Sequence, residues 1–270
     1  MSRACPVCGA GMAARKVWIL RCPSCGFLCS TLTPGTGTGV DGLETLRRSN
    51  FAALLDRLEK YASLKDKTGL EVGCSAGLFL EAAVARGMNI EGLEPEKEKA
   101  RLARDKGFSV TEGLFPEALP AGKKFDFIFF NDVFEHLPEP VTALKTCEKL
   151  LNPSGMLVLN LPDSGGFLYR LADVMDCCGC LSPLERLWQK GFSSPHISYF
   201  NHKNLRRMAE KETGLSLVYA GRLRSMELSG LKERIGRSPA AFLTYAGLLP
   251  VVFLQDFLSA DIALQFYRAG

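Results

Sequence analysis

The fold of this 270-residue chain is decided by the stretch Gly69–Phe79, which reads Gly-Leu-Glu-Val-Gly-Cys-Ser-Ala-Gly-Leu-Phe. A short apolar strand reaches an acidic residue, small residues follow in a turn, and a helix begins near Leu78. Glycines in such a turn let a ligand approach the backbone, because no Cβ keeps it away. The stretch predicts a strand, a glycine-rich loop and a helix, a unit found in many nucleotide-binding folds.

Two later segments repeat the pattern of a buried strand that ends in polar groups. Asn89–Glu94 ends in an acid, and Phe125–Asp132 is almost wholly apolar until its last two residues. The carboxyl ends of parallel strands meet at one edge of a sheet, where α/β folds bind ligands. We therefore expect an α/β fold with a ligand site at that edge.

In combination these segments resemble the class I S-adenosylmethionine-dependent methyltransferases, a group that acts mostly on small molecules and glycans. The matching segments are Glu71–Gly77, Glu94, Asp126–Asn131 and Leu151–Leu159, within a resemblance that runs from about residue 68 to residue 218. One departure is Ser75, which stands where the family has a glycine. The resemblance implies a Rossmann-like methyltransferase sheet that binds S-adenosylmethionine.

The resemblance also implies the residues around the cofactor. Glu94 is expected to accept hydrogen bonds from both ribose hydroxyls, and the acid Glu71 suits the methionine ammonium. A dehydrogenase is the weaker alternative, because its loop needs Gly-x-Gly-x-x-Gly and an acid at Glu71 would repel a pyrophosphate. The expected cofactor-binding residues are Glu71, Gly73, Cys74, Ser75, Gly77, Phe79, Glu94, Pro95, Gly113, Leu114, Asn131 and Asp132.

The amino-terminal region contains two Cys-x-x-Cys-Gly sequences, and their cysteines are Cys5, Cys8, Cys22 and Cys25. Four thiolates at this spacing suit a closed tetrahedral zinc site, so residues 1–32 are predicted to form a structural zinc ribbon that depends on its metal. Four-thiolate iron is the alternative ion. The residues between the two pairs, Arg15–Arg21, predict a strand, with Trp18 as the exposed large aromatic.

The remainder of the chain divides by composition. Residues 33–42 predict a linker, and residues 43–270 the methyltransferase domain, which begins with a helix over about 43–64. Residues 166–191 predict a helical insertion that caps the substrate. The apolar stretch at about 238–258 predicts helices that cover the pocket or touch a membrane surface, since Pro250 and Asp256 argue against a span. The insertion contains three closely spaced cysteines, interpreted as spectators: Cys177, Cys178 and Cys180.

Two of the three histidines lie where chemistry could use them. His196, in a segment that resembles the wall of the acceptor pocket, and His136, just after the third strand, are the candidate general bases. Asp132, Glu135 and His136 also resemble a divalent-metal run in methyltransferases of quinone-ring hydroxyls. His202 is expected at the surface.

Composition limits the function classes. The net charge is only +4, and the chain has ten cysteines and no leader of secretory type, which predicts a reducing, cytoplasmic setting. The sequence therefore favours methyl transfer to oxygen on a small-molecule, glycan or lipid-linked acceptor. One alternative is an RNA methyltransferase that uses the ribbon, although the ribbon has few basic residues for a nucleic acid. The other is a zinc-ribbon adaptor without activity.

Overall fold

The computed structural model describes residues 3–36, 43–120, 122–226 and 260–270. The strands are β1 Ala13–Ala14, β2 Ile19–Arg21, β3 Leu28–Ser30, β4 Thr68–Val72, β5 Asn89–Glu94, β6 Val110–Glu112, β7 Phe125–Asn131, β8 Leu151–Pro162, β9 Ser198–Tyr199, β10 Ser216–Leu223 and β11 Ile262–Arg268. The helices are α1 Glu44–Leu58, α2 Leu78–Val84, α3 Lys97–Asp105, α4 Pro140–Leu150, α5 Phe167–Cys177, α6 Ser182–Leu187 and α7 His202–Glu212, with a 3₁₀ turn at Phe134–His136.

Within the described residues, seven strands form the main sheet in the order β10-β11-β8-β7-β4-β5-β6. The five strands β4 to β8 are parallel, and β10 and β11 close one side antiparallel. The chain builds β5 and β6 on one side of β4 and then crosses to place β7 and β8 on the other. The carboxyl end of β4 is therefore a topological switch point, where open α/β sheets bind ligands. The predicted α/β class is confirmed.

The apolar run in β7 explains why this strand lies at the centre. Successive side chains of a strand point to opposite faces, so a strand covered on both faces needs an unbroken apolar sequence. Phe127 and Phe129 pack with α1 and α2 on one face. Ile128 and Phe130 pack on the other face with α4 and α7.

The ribbon strands continue into the catalytic part of the chain. A second sheet has the order β1-β2-β3-β9, and β9 comes from beyond the insertion. The predicted strand over Arg15–Arg21 is wrong in its first half. Residues 15–18 form the turn between β1 and β2, and Val17 in this turn is fully exposed. The expected exposure of Trp18 is also wrong, since its ring packs edge-on against Trp188 with centroids 5.8 Å apart.

The other predicted segments lie as follows. The helix expected over about 43–64 spans only Glu44–Leu58. Residues 166–191 contain α5 and α6, which share a buried apolar cluster with Trp18 and Leu28 of the ribbon. The apolar stretch 238–258 lies outside the described residues. No helix in the described part of the chain is both long and apolar enough to cross a membrane.

Candidate functional site

The loop after β4 has a left-handed backbone that explains its small residues. Gly73 and Gly77 have φ angles of 72° and 81°. A Cβ on Gly73 would lie 2.5 Å from Cγ2 of Val133, and a Cβ on Gly77 would lie 3.0 Å from the ring of Phe108. Both glycines are therefore required by conformation and by close protein neighbours, whereas the sequence interpretation assigned that space to a ligand.

Ser75 occupies the third left-handed position, with a φ of 49°. Its N–H donates to Oε2 of Glu94 at 2.8 Å, and the N–H of Glu96 donates to Oε1 of the same carboxylate at 2.9 Å. Burial raises the pKa of Glu94, and these two backbone donors act against that rise. Each carboxylate oxygen of Glu94 has a second lone pair that these bonds do not use. Glu94 therefore holds the loop and can still accept hydrogen bonds from a ligand.

Glu71 ends β4 in a buried polar chain. Nδ2 of Asn131 donates to Oε1 of Glu71 at 3.0 Å, and Nδ2 of Asn160 donates to Oδ1 of Asn131 at 3.3 Å. The second oxygen of Glu71 has no hydrogen-bond partner among the described residues. Burial raises the pKa of Glu71 to about 8, and the nearby Glu94 carboxylate adds to the rise. An unpaired buried carboxylate oxygen fits a cationic or donor group of a ligand.

The other expected cofactor residues are divided between this edge and the core. The N–H of Gly113 donates to the carbonyl of Glu94 at 3.0 Å, and Leu114 beside it is exposed. Asp132 follows Asn131 with a φ of 53°. Phe79 lies in the core with its ring centroid 4.7 Å from that of Phe129. Cys74 is also buried, and Pro95 is half-buried beside Glu94.

A second cluster, formed by Glu135, His136 and His196, lies beyond the end of β7. Nε2 of His136 and Nε2 of His196 lie 3.9 Å and 3.8 Å from Oε1 of Glu135. The two rings meet edge to face with centroids 4.8 Å apart. Nδ1 of His136 lies 2.9 Å from the carbonyl of Pro195, so this nitrogen carries the proton and donates it, and Nε2 keeps a free lone pair.

Burial controls the charge of this cluster. It raises the pKa of Glu135 well above its usual range, and the charge of Asp132 adds to the rise. Burial lowers the pKa of His136, and it lowers that of His196 much further with help from His136. Lowered pKa values favour the neutral form of both imidazoles, and the effect is stronger for His196. His136 is the more accessible, with 18% of its side chain exposed against 5% for His196.

The same three side chains could also bind a metal ion. The ligand atoms of Glu135, His136 and His196 all lie within 4.8 Å of one another. The sequence placed Asp132 in the set, whereas the structure groups His196 with Glu135 and His136. Neither oxygen of Glu135 has a partner among the described residues, and two imidazoles with a carboxylate suit a divalent transition metal.

The four ribbon cysteines converge as predicted. Sγ of Cys5 lies 3.5 Å from Sγ of Cys25, and Sγ of Cys8 lies 3.4 Å from Sγ of Cys22, with all four within 4.8 Å. A tetrahedral ion with bonds of about 2.3 Å to sulfur needs sulfur pairs about 3.8 Å apart. The donor set and its spacing therefore fit zinc.

Sequence reasoning missed a polar network around the buried Asp163 at the end of β8. Asp163 accepts from Nη2 of Arg222 at 3.1 Å and lies 3.7 Å from Nε2 of His202. His202 also faces the amide of Gln265 at 3.1 Å and is half-buried, so it is less exposed than expected. Asn160 could have been found as a polar residue late in an apolar strand, the signal that identified Asn131. No local signal joins Asp163 to residues so distant in sequence.

Comparison with known proteins agrees with this architecture. The profile of the Methyltransf_23 family, described as a methyltransferase domain, matches residues 43–220. A ubiquinone biosynthesis O-methyltransferase of Pseudomonas paraeruginosa is 29% identical over 112 residues, 38% of this chain and 47% of that protein. Its counterpart in Chromobacterium violaceum is 27% identical over 130 residues, 44% of this chain and 55% of that protein. The matches thus span about half the length of these relatives.

Solved structures share the fold at low identity. A SAM-dependent methyltransferase from Archaeoglobus fulgidus has a TM-score of 0.55 and 18% identity, covering 84% of this chain and 97% of that chain. Magnesium protoporphyrin IX methyltransferase from Synechocystis, solved with bound SAM, has a TM-score of 0.53 and 11% identity, covering 87% of each chain. With its switch-point loop and acids, this chain belongs to the Methyltransf_23 family and has the class I S-adenosylmethionine-dependent methyltransferase fold.

Proposed function

We propose that this protein transfers the methyl group of S-adenosylmethionine to an oxygen of a small-molecule acceptor. The observation that carries the proposal is the pair of buried acids, Glu71 and Glu94, which flank the loop at the switch point. Glu94 would accept the ribose hydroxyls, and the unpaired oxygen of Glu71 would accept from the methionine ammonium. When bound, the cofactor supplies an electrophilic methyl, so the protein mainly aligns the acceptor with it.

His136 is the proposed proton acceptor. Its Nδ1–H donates to the carbonyl of Pro195, which fixes the ring and leaves Nε2 free for the acceptor hydroxyl. The imidazolium formed would lie 3.9 Å from Oε1 of Glu135, a carboxyl group whose pKa is itself raised by burial. His196 lies deeper and supports the ring of His136 edge-on.

Small-molecule acceptors are favoured over RNA by the charges on the ribbon. Arg15 forms an ion pair with Asp173, and Nζ of Lys16 lies 2.9 Å from Asp176. Acids of α5 therefore neutralise two of the four basic residues in residues 1–32, which leaves little positive charge for a nucleic acid. The relatives named as ubiquinone biosynthesis O-methyltransferases support an oxygen acceptor. Glycan and lipid-linked acceptors, peripheral membrane contact and a cytoplasmic location remain part of the proposal, as does structural zinc on the four ribbon cysteines.

Labelled cofactor tests the proposal against its alternatives. The protein is incubated with methyl-labelled S-adenosylmethionine and, separately, with a small-metabolite extract, a lipid extract and total RNA. Label in the metabolite or lipid fraction, in a base-stable ether, supports O-methylation. Label only in RNA overturns the assignment, and no label in any fraction supports the adaptor alternative.

Substitution of the base gives a second test. General-base catalysis contributes about 100-fold or more, so His136→Gln should lower turnover by that amount while cofactor affinity is kept. His202→Gln is the matched control, because its ring belongs to the Asp163 network. Because burial lowers the pKa of His136, the rate in the wild type should stay level with falling pH until below about 6.5, the ordinary histidine value. With the cofactor kept saturating at every pH, a rate that already falls at pH 7.5 would contradict a neutral, buried base.

A further inference from the structure

The ribbon ends in a strand that holds the main chain of the histidine segment. β3 pairs with β9 so that Cys29 lies opposite Ser198. One residue further, the N–H of Ser30 donates to the carbonyl of Ile197 at 2.9 Å, and its hydroxyl donates to the carbonyl of His196 at 2.8 Å. Ser30 and His196 are both buried, so these bonds do not compete with water.

The segment held by Ser30 also orients His136. Nδ1 of His136 faces the carbonyl of Pro195 at 2.9 Å and the hydroxyl of Ser194 at 3.2 Å. The N–H of Ile197 donates to the carbonyl of Glu135 at 2.9 Å. Residues 194–197 therefore place all three members of the cluster, and a shift of this segment would move the lone pair of His136.

The start of β3 follows closely after the second cysteine pair, Cys22 and Cys25. The N–H of Cys22 donates to the carbonyl of Phe27 at 2.8 Å, and the N–H of Gly26 donates to the carbonyl of Cys22 at 3.0 Å. The ring of Phe27 packs against Phe200, with centroids 5.0 Å apart. An ion that gathers the thiolates fixes this turn, and with it the start of the strand that reaches Ser30.

We propose that Ser30 is a positioning residue for His136 and His196, and that the metal-bound ribbon is a structural part of the acceptor site. This inference rests on the proposed function only where it calls the region around His136 and His196 the acceptor site. The N–H and the hydroxyl of Ser30 both bind the main chain of residues 196 and 197, and so they connect the ribbon to the segment that carries the two rings. None of the ribbon contacts described involves Glu71 or Glu94, so cofactor affinity is not expected to depend on the ribbon.

The three histidines of the chain make the test direct, because their ring nitrogens give few signals in ¹⁵N nuclear magnetic resonance. In Ser30→Ala we expect the ring signals of His136 and His196 to shift and broaden, because the segment that orients both rings loses a hydrogen bond. His202 serves as the internal reference. Thr31→Ala, at the exposed neighbouring position, is the matched control, and Ser30→Thr should restore the wild-type signals because it keeps the hydroxyl.

Metal content and affinity for S-adenosylhomocysteine are measured on the same samples. Ser30→Ala should keep its metal, with a dissociation constant within about twofold of wild type, the usual range for an independent site. Cys8→Ser, which removes a ligand of the ribbon site alone, should shift the same two histidines, and this arm stands even if Ser30→Ala fails to fold. Unchanged signals of His136 and His196 in Ser30→Ala or in Cys8→Ser would overturn the proposal, as would equal shifts in Thr31→Ala.

Turnover separates this inference from the proposed function. With the acceptor found in the labelling experiment, Ser30→Ala should lower kcat about tenfold or more, since a misplaced base loses part of its 100-fold or greater contribution, with KM for the cofactor unchanged. If His136→Gln keeps full turnover, the proposed base is wrong. The histidine signals would then still decide whether the ribbon positions this segment.

Discussion

At the scale of single residues, the two acids of the cofactor edge differ in how their oxygens are satisfied. Glu94 accepts from the N–H groups of Ser75 and Glu96, whereas one oxygen of Glu71 has no partner among the described residues. Burial raises the pKa of Glu71 to about 8, so this carboxyl is mostly protonated at pH 7 in the free protein. A ligand ammonium that pairs with Glu71 must therefore expel this proton.

Proton release on binding follows from that state. At pH 7, S-adenosylhomocysteine should displace about one proton per chain, and its affinity should fall by up to about tenfold per unit as the pH drops from 8 to 6, because the bound form needs the carboxylate. Calorimetry in two buffers of different ionisation enthalpy measures the release. Glu71→Gln should abolish it. Binding of the wild type without proton exchange at pH 7 would contradict the role given to Glu71.

At the scale of secondary-structure elements, local sequence patterns were sufficient to predict an element wherever its segment is apolar or must turn sharply. The run in β7 and the loop between Gly73 and Gly77 predicted both the strand and its position at the ligand edge. The pairing of β3 with β9 was out of reach, because its partners are about 170 residues apart and no local pattern marks them. The same reason explains the burial of Trp18, because it packs against Trp188 and other residues of the distant insertion.

The loop-to-helix junction gives a stability prediction. Gly77→Ala should destabilise the fold by about 2 kcal/mol, of which 1–2 kcal/mol is the cost of a left-handed conformation for a residue with a Cβ. The rest comes from contact with Phe108, which the new Cβ would approach to 3.0 Å. Gly107→Ala is the control, because Gly107 has a φ of 92° and open space around it. Urea unfolding should show a larger loss for Gly77→Ala, and equal losses would remove the role of Phe108.

At the scale of the whole molecule, the ribbon is joined to the catalytic part by a shared sheet and a shared core. Cys5, Cys22 and Phe27 belong to the same buried cluster as Phe134 and Phe200. Sequence alone suggested two separable modules, since the cysteine pairs form a complete local motif. The structure instead makes the ribbon one wall of the histidine cluster, while the cofactor edge is built from β4, β5 and β7.

This division predicts what loss of the ribbon metal would do. Elemental analysis should find about one zinc per chain, as expected for a closed four-thiolate site. Cys8→Ser should lose the metal and lower the melting temperature, because small metal domains depend on the ion. Binding of S-adenosylhomocysteine should survive. Full metal content in Cys8→Ser, or loss of cofactor affinity on chelation, would contradict the division.

Calorimetry with S-adenosylhomocysteine tests the central claim, a cofactor site at the carboxyl ends of β4 and β5, most directly. Glu94→Gln should weaken binding by about 10- to 100-fold, since hydrogen bonds to a charged acceptor contribute about 1.5–3 kcal/mol. Glu91→Gln is the matched control, because Glu91 is on the same strand but pairs with Lys123 at 2.6 Å. The account predicts tight binding by the wild type and Glu91→Gln and weak binding by Glu94→Gln. No binding by the wild type, or equal affinity in all three proteins, would contradict it.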